Sequence, residues 1–246
     1  MKALCQGAIF FTLFFCPVLV TAESKKDVWS YGIQSELLSR YVFRGLDRYR
    51  GLSLHQDVNA RYGLSKKSEL VVDAKVHVPL QSERDGTDFT AVIASGIYKL
   101  SPGAGDVIVG GNWYGYSGGE IPAPGNTGEI FGILAFSAVL NPSFSLFQDI
   151  DETHGRYFEL GLSEELATDY YDPDVIFVPF IHMGFAFHTE NTLYAGSGFN
   201  HVAYGLKARH EMNTWTFFVT LTHMDGADAQ VKSLNWAGIG AEYLFD

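Results

Sequence analysis

The residues of this sequence that could act on another molecule are charged side chains placed at alternate positions. Glu36, Arg40 and Arg44 lie four residues apart, and Asp73 and Lys75 lie two apart. Even spacing directs the members of such a set to one side of a β-strand. We therefore expect a polar face that carries both signs of charge, contributed by Glu36, Arg40, Arg44, Asp57, Arg61, Asp73, Lys75, Glu159, Lys207, Arg209, Glu211 and Glu242.

Apolar residues occupy the positions between these charges. In the segment 69–78, Leu70, Val72 and the later even positions are apolar, whereas Asp73, Lys75 and His77 stand at odd positions. The segments 31–44 and 52–62 show the same period of two. Such alternation over about ten residues predicts a strand with one apolar and one polar face.

Twelve segments of the chain either alternate in this way or are apolar throughout. Most are about 10 to 14 residues long, which is enough to cross a bilayer at a tilt, whereas strands of globular proteins average about five or six residues. The sequence predicts strands at Tyr31–Arg44, Leu52–Tyr62, Glu69–Val78, Asp88–Leu100, Asp106–Tyr116, Glu129–Leu140, Ser143–Ile150, Gly155–Leu166, Asp174–His188, Phe199–Glu211, Thr214–Met224 and Ser233–Phe245.

The connections between these segments alternate in length. Those after odd-numbered strands are mostly long, as at Ser117–Gly128, and Gly45–Gly51 belongs to this set. Those after even-numbered strands are mostly short, as at Asn141-Pro142 and Met212-Asn213. The exceptions are Asp151–His154 and Ala167–Pro173. Long loops at one end and tight turns at the other are typical of outer-membrane barrels, whose turns and termini lie in the periplasm.

Aromatic residues near the predicted strand ends are a further feature of such barrels. We interpret them as girdles at the depth of the lipid headgroups. The residues concerned are Tyr31, Tyr41, Phe43, Trp113, Tyr114, Tyr116, Trp215 and Phe217.

The first 22 residues have the layout of a secretory signal peptide. Lys2 precedes an apolar run from Ala8 to Val20, and Val20 and Ala22 stand at the positions that signal peptidase reads. We expect cleavage after Ala22, which leaves residues 23–246 as the barrel; a retained N-terminal anchor helix is the alternative. Cys5 and Cys16 are the two cysteines of the chain, and both lie in this segment.

The charge balance excludes one class of partner. Without residues 1–22 the chain has 16 basic residues (17 less Lys2) and 28 acidic residues. Binding to nucleic acid calls for a basic stripe, which this composition does not supply. We expect no nucleic-acid partner.

The eight histidines are spread over many of the predicted strands. His188 and His201 flank one predicted loop, with Glu190 and Asn200 nearby, so a metal or catalytic site at that loop is one alternative. No histidine stands in a His-x-Ser-Asn segment of the kind that barrel lipid hydrolases display. We predict that the chain is not an enzyme and uses no cofactor.

The segment Ser39-Arg40-Tyr41-Val42-Phe43-Arg44-Gly45 resembles the opening strand of the TorF-type porins, a proteobacterial family of small outer-membrane barrels. The chain is also similar to that family in length, in strand spacing and in the segment Tyr157-Phe158-Glu159. The resemblance implies an outer-membrane location and a pore, and it brings no established substrate. Because Asp246 follows Phe245, the aromatic signal read by the barrel-assembly machinery, Tyr243 and Phe245, ends one residue before the terminus.

Together these features predict a monomeric, antiparallel up-and-down barrel of twelve strands that crosses the outer membrane. We expect a narrow passive channel for small hydrophilic solutes, in contact with outer-membrane lipid and lipopolysaccharide. Arg40 and Arg44 are expected at a constriction that senses charge, unless they are ion-paired residues that fill the barrel. The alternatives are a non-conducting structural or adhesive barrel, a barrel enzyme acting on lipid or peptide, and a soluble periplasmic sandwich.

Overall fold

The computed structural model describes residues 29–80, 89–100, 103–116, 126–151, 154–167, 174–187, 198–227 and 231–245. The predicted signal peptide, residues 1–22, lies outside this part of the chain. The regular structure is entirely β: β1 Trp29–Phe43, β2 Leu46–Ser65, β3 Ser68–Pro79, β4 Phe89–Lys99, β5 Gly105–Tyr116, β6 Thr127–Phe136, β7 Ser143–Asp149, β8 Arg156–Ser163, β9 Leu166–Ala167, β10 Val175–Phe187, β11 Gly198–Met212, β12 Trp215–Gly226 and β13 Leu234–Phe245. Among the described residues, no helix is long and apolar enough to cross a membrane.

The strands close into a ring. Each strand pairs antiparallel with the next, and β1 pairs with β13 from Tyr31↔Phe245 to Leu38↔Gly238. The short β9 continues β8 along the same edge of β10, so the ring has twelve positions. In a bilayer a closed ladder leaves no unpaired strand edge exposed to lipid. The predicted transmembrane barrel of twelve antiparallel strands is confirmed.

The alternation predicted from sequence is visible in the side chains of the wall. On β3, Leu70 and Val72 point outward and are 48% and 47% exposed, whereas Lys75 and His77 point inward and are buried. The same division holds on β1 and β2, whereas β4 and β6 also carry apolar residues on the inward face, such as Ile93 and Phe131. The outward apolar residues form a belt that includes Ile33, Val58, Leu70, Val72, Val92, Val109, Ile130, Leu134, Leu146, Leu162, Phe199, Leu206, Val219, Leu221 and Ile239. A continuous belt of this kind is the lipid-facing surface of a membrane barrel.

The two ends of the barrel differ. The turn end carries the short connections 66–67, 137–142 and 213–214 together with the strand termini Trp29 and Phe245. At the loop end β3, β5 and β10 end at Pro79, Tyr116 and Phe187, and the segments 81–88, 117–125 and 188–197 are outside the described part. Two predicted strands end at least three residues early: β6 ends at Phe136, before a turn in which Leu140 and Asn141 adopt positive φ, and β8 ends at Ser163 and not at Leu166.

The girdle prediction is partly wrong. Tyr31, Trp113, Trp215 and Phe217 are outward and about half exposed. At the turn end, Trp29 contacts Tyr31 and Tyr62, and Trp215 contacts Phe217 and Tyr243. Tyr41, Phe43 and Tyr114, in contrast, are buried inside the barrel. The side chain of Tyr116 is outside the described part.

The assignment of outward and inward faces predicts how much a lysine at each position lowers the stability of the barrel in a lipid bilayer. Val58 points outward near the middle of the wall and is 50% exposed, while its neighbour Asn59 points inward. We expect Val58→Lys to lower the free energy of unfolding in vesicles by about 2–4 kcal/mol, the cost of a lysine at the bilayer midplane. Asn59→Lys, the same change one residue on, is expected to cost less than about 1 kcal/mol because its ammonium group enters the polar lumen near Asp73. Equal losses in the two variants would contradict the assigned faces.

Candidate functional site

The hairpin formed by residues 39–51, which we call the lumen hairpin, leaves the barrel wall. Pairing of β1 with β13 ends at Leu38, and pairing of β2 with β3 ends at Ser53. Between these points β1 and β2 pair only with each other, and the register shifts twice. Such irregularities bend a strand, and here they mark the point where the hairpin departs from the wall. The predicted loop Gly45–Gly51 is therefore wrong, because most of it belongs to β2.

The tip of the lumen hairpin is a two-residue turn. Phe43 pairs with Leu46, and the central residues Arg44 and Gly45 have φ of 48° and 84°. Two positive φ values are the requirement of the type I′ turn that joins tightly paired strands. Gly45 is needed for a second reason, since an added Cβ would collide with the Asn200 side chain and lie 2.7 Å from His201 Nδ1.

Both faces of the lumen hairpin are buried. Tyr41, Phe43 and Tyr49 belong to a buried cluster with residues of β4 to β8 and of β10, namely Ile93, Tyr114, Phe131, Phe147, Tyr157 and Ala186. Val42 and Leu46 belong to a second cluster with residues on the β11–β13 side, namely Ala203, Met224, Val231 and Leu234. Because opposite parts of the wall contact its two faces, the hairpin lies inside the barrel and crosses the lumen.

Arg44 joins the tip to the far wall. Its guanidinium donates to both carboxylate oxygens of Glu129 on β6, through Nη1 to Oε1 and through Nη2 to Oε2 at 2.8 Å. In the strand order β6 is five positions from β1, almost opposite in a ring of twelve. Both side chains are buried, and a buried charge is stable only when it is paired and hydrogen-bonded. The ion pair therefore holds the tip in place across the lumen.

Aromatic rings and polar groups surround this ion pair. The Arg44 guanidinium lies 4.3 Å from the centre of the Phe147 ring and 5.0 Å from that of Tyr157. The Tyr114 hydroxyl donates to Glu129, and Asn112 Nδ2 donates to the Tyr114 hydroxyl at 2.7 Å. A cation over aromatic faces and opposite a carboxylate is bound both by charge and by the ring quadrupoles.

A second set of contacts, apart from the Arg44–Glu129 pair at the tip, holds the base of the lumen hairpin. Asp47 Oδ2 accepts from Arg50 Nε at 2.6 Å and from Arg40 Nη1 at 3.3 Å. The Tyr41 ring stacks on His77 of β3, with 3.9 Å between centroids. Arg40 and Arg44, which share a predicted face, thus have different surroundings: Arg40 pairs within the hairpin, and Arg44 pairs across the barrel.

The other predicted charged residues lie between the lumen hairpin and the turn end. Lys75 Nζ is 2.5 Å from Asp57 Oδ2, and both side chains are buried. Arg209 bonds Glu165 at 3.0 Å and Glu211 at 3.2 Å.

Electrostatic contacts join the remaining residues of this set. Lys207 interacts with Glu36 and Glu242, and its Nζ lies 4.1 Å from the centre of the Phe218 ring. Asp73 interacts with Arg61. Their alternation points all of them inward, and their role in selecting solutes stays a prediction.

Glu159 is placed beside a histidine. Its carboxylate lies 3.3 Å from His182 Nδ1 and accepts from the Tyr157 hydroxyl at 3.3 Å. The Ser143 hydroxyl and His182 Nδ1 both lie beside Gly161, at 2.5 Å and 3.2 Å from the position of an added Cβ. His188 and Glu190, named with His201 as an alternative site, are outside the described part. The prediction that the chain is not an enzyme stays a prediction.

Three features of this site were not predicted from the sequence: the inward carboxylate of Glu129, the inward position of Tyr114 and the lumen hairpin itself. A signal for the hairpin was present: from Tyr41 to Tyr49 apolar residues stand at both odd and even positions, including the consecutive Tyr41, Val42 and Phe43. A wall strand between lipid and a polar lumen does not need two apolar faces, whereas a hairpin buried on both sides does.

With this geometry established, comparison with solved structures places the fold among outer-membrane barrels. An outer membrane channel from Pseudomonas putida F1 aligns with a TM-score of 0.55 at 9% identity, over 90% of this chain and 97% of that one. LpxR from Salmonella typhimurium aligns at 0.54 and 7% identity, over 88% and 100%. The NanC porin aligns at 0.52 and 11% identity, over 87% and 98%. At these identities the likeness concerns the fold alone.

No protein-family model matches the sequence, and no curated protein does. The similarity to the TorF-type porins therefore stays a prediction that rests on the segment from Ser39 to Gly45, which the structure assigns to the lumen hairpin and its tip.

The close packing around Gly45 can be tested by comparing its replacement by alanine with the same replacement at a second glycine of similar φ. Gly103, in a turn, has φ of 76°, close to that of Gly45, but an added Cβ there would meet nothing within 4 Å. Gly103→Ala should therefore cost only the left-handed strain of an alanine, about 1–2 kcal/mol. Gly45→Ala should cost about 1–3 kcal/mol more, because its methyl group also enters the packed contact with Asn200, His201 and Val231. The measurement is urea unfolding in vesicles, and a Gly45→Ala loss no larger than that of Gly103→Ala would show that the tip is not seated against β11.

Proposed function

We propose that this protein is an outer-membrane channel for small hydrophilic solutes, closed in this structure by the lumen hairpin. The turn end would face the periplasm, as in other outer-membrane barrels. The belt of outward apolar residues would contact lipid and lipopolysaccharide. Tyr243 and Phe245 on the closing strand β13 would be read by the barrel-assembly machinery.

The observation that carries the proposal is the independence of the lumen hairpin from the wall. The ladder between β13 and β1 and the ladder between β2 and β3 are complete below residues 39 and 51. Withdrawal of the hairpin therefore breaks side-chain contacts, among them the Arg44–Glu129 ion pair and the hydrogen bond from Ala237 N–H to Ser39 Oγ, and leaves these two ladders paired. Beneath it the wall keeps its inward charges of both signs, which can exchange with a hydrated solute.

The runner-up is a non-conducting structural barrel. The density of the packing favours it, because the lumen hairpin buries Tyr41, Phe43 and Tyr49 together and ties each end with a salt bridge. A structural barrel has no need of a detachable closing element, however, since wall side chains alone can fill a barrel of this size.

The first test is conductance of the refolded chain in planar bilayers, with and without the lumen hairpin. In the open variant, residues 41–49 are replaced by Asn-Gly, a pair that favours a type I′ turn between Arg40 and Arg50. We expect rare or no current steps from the parent and frequent, ohmic steps from the open variant. A variant that inserts, shows the heat-dependent gel shift of a folded barrel and passes no current would establish the structural barrel instead.

A second test locks the closed state reversibly. The side chain of Asn200 lies next to the position of an added Cβ at Gly45, so we expect the double change Gly45→Cys and Asn200→Cys to place two thiols close enough for a disulfide. Oxidation should abolish any current of the double variant and reduction should restore it. Asn200→Cys alone, which cannot form the bridge, serves as the control and should not respond to oxidation.

A further inference from the structure

The surroundings of Arg44 have the composition of a binding site for an organic cation. The cation of Arg44 lies over the rings of Phe147 and Tyr157 and opposite the buried carboxylate of Glu129, which also accepts from the Tyr114 hydroxyl. Glu129 is 1% exposed with the lumen hairpin in place, and a carboxylate buried in this way needs a cationic partner. In the closed state Arg44 supplies that partner.

The geometry is specific for a planar cation. Arg44 binds Glu129 through two nitrogens to two oxygens, which is the fork arrangement that a guanidinium makes and an ammonium group does not. The central carbon of the guanidinium lies over the rings of Phe147 and Tyr157, which are neighbours on β7 and β8. Asp149, which pairs with Glu129 across β6 and β7, adds a second carboxylate to the same part of the wall.

We propose that this site binds guanidinium-bearing solutes, that Arg44 occupies it as a built-in substitute, and that a solute which displaces Arg44 opens the lumen hairpin. Displacement keeps Glu129 paired, so the buried carboxylate is never left without a cation. Arg44, once released, moves with the hairpin toward the aqueous loop end. The inference rests on the proposed function, since it names the solute class that the channel admits.

Binding can be measured without any current. The ligand is butylguanidinium, and butylurea is its neutral control of the same shape. In the Arg44→Ala variant the site has lost its resident cation, so calorimetric titration should give an affinity for butylguanidinium at least about tenfold higher than in the parent. Arg50→Ala is the matched control, because it removes an arginine of the same hairpin that pairs with Asp47 at the base, and it should bind as the parent does.

The carboxylate is tested by the double variant Arg44→Ala and Glu129→Gln, which should lose the affinity while keeping the gel shift of a folded barrel. If Arg44→Ala fails to fold, the hairpin replacement described above exposes the same site and is titrated instead. Equal binding of butylurea and butylguanidinium, or no binding of either by a folded variant with the site exposed, overturns the inference.

Current then distinguishes the inference from the function on which it rests. Butylguanidinium should raise the opening frequency of the parent in planar bilayers severalfold, and butylurea should not. If the open variant conducts but butylguanidinium neither binds nor opens the parent, the channel stands and the cation site is wrong. If butylguanidinium binds but the open variant passes no current, the channel itself is wrong.

Discussion

A chain that crosses lipid has to satisfy its backbone hydrogen bonds internally, and the rest of this structure depends on that requirement. The pairing of β1 with β13 meets it by closing the ladder, and every wall strand then has two neighbours. Closure fixes the alternation of faces, since one side of each strand must meet lipid and the other must meet the lumen. It also sets the diameter, and a ring of twelve strands leaves a lumen wide enough to be occupied by a hairpin.

The strand segments of the lumen hairpin lie outside this ladder. Residues 39–51 form backbone pairs only with each other, and the Ser39 hydroxyl accepts a hydrogen bond from Ala237 N–H of β13. Their position depends on side chains: aromatic packing on one face, aliphatic packing on the other, and a buried ion pair at the tip. Hydrophobic burial alone would hold the hairpin without specifying its depth, whereas Arg44 and Glu129 have to meet for either charge to be buried at acceptable cost. The ion pair therefore determines where the hairpin stops.

The wall could be predicted from sequence because lipid and lumen impose different polarity on alternate residues. Strands β2 and β3 follow this alternation closely. Val58, Leu70 and Val72 face outward, and Asp57, Asp73 and Lys75 face inward. The same reasoning fails where the environment has no such division. In β6, Ile130, Phe131 and Ile133 place apolar residues on both faces, so the period of two does not determine that Glu129 points inward. In the lumen hairpin both faces meet protein, and the register shifts interrupt the phase that made Tyr41 and Phe43 look lipid-facing.

The inward aromatic residues illustrate how the hairpin and the wall depend on each other. Phe131, Phe147 and Tyr157 would be costly on the wall of a purely aqueous pore, since they would present apolar surface to water. Against the lumen hairpin they are buried, and they also shield the Arg44–Glu129 pair from solvent, which strengthens it. An opened barrel exposes both the rings and the carboxylate to the lumen together. In the proposed open state, the residues that seal the closed barrel would form a surface with one negative charge and several aromatic faces, so the contacts that hold the hairpin would be the same ones offered to a solute.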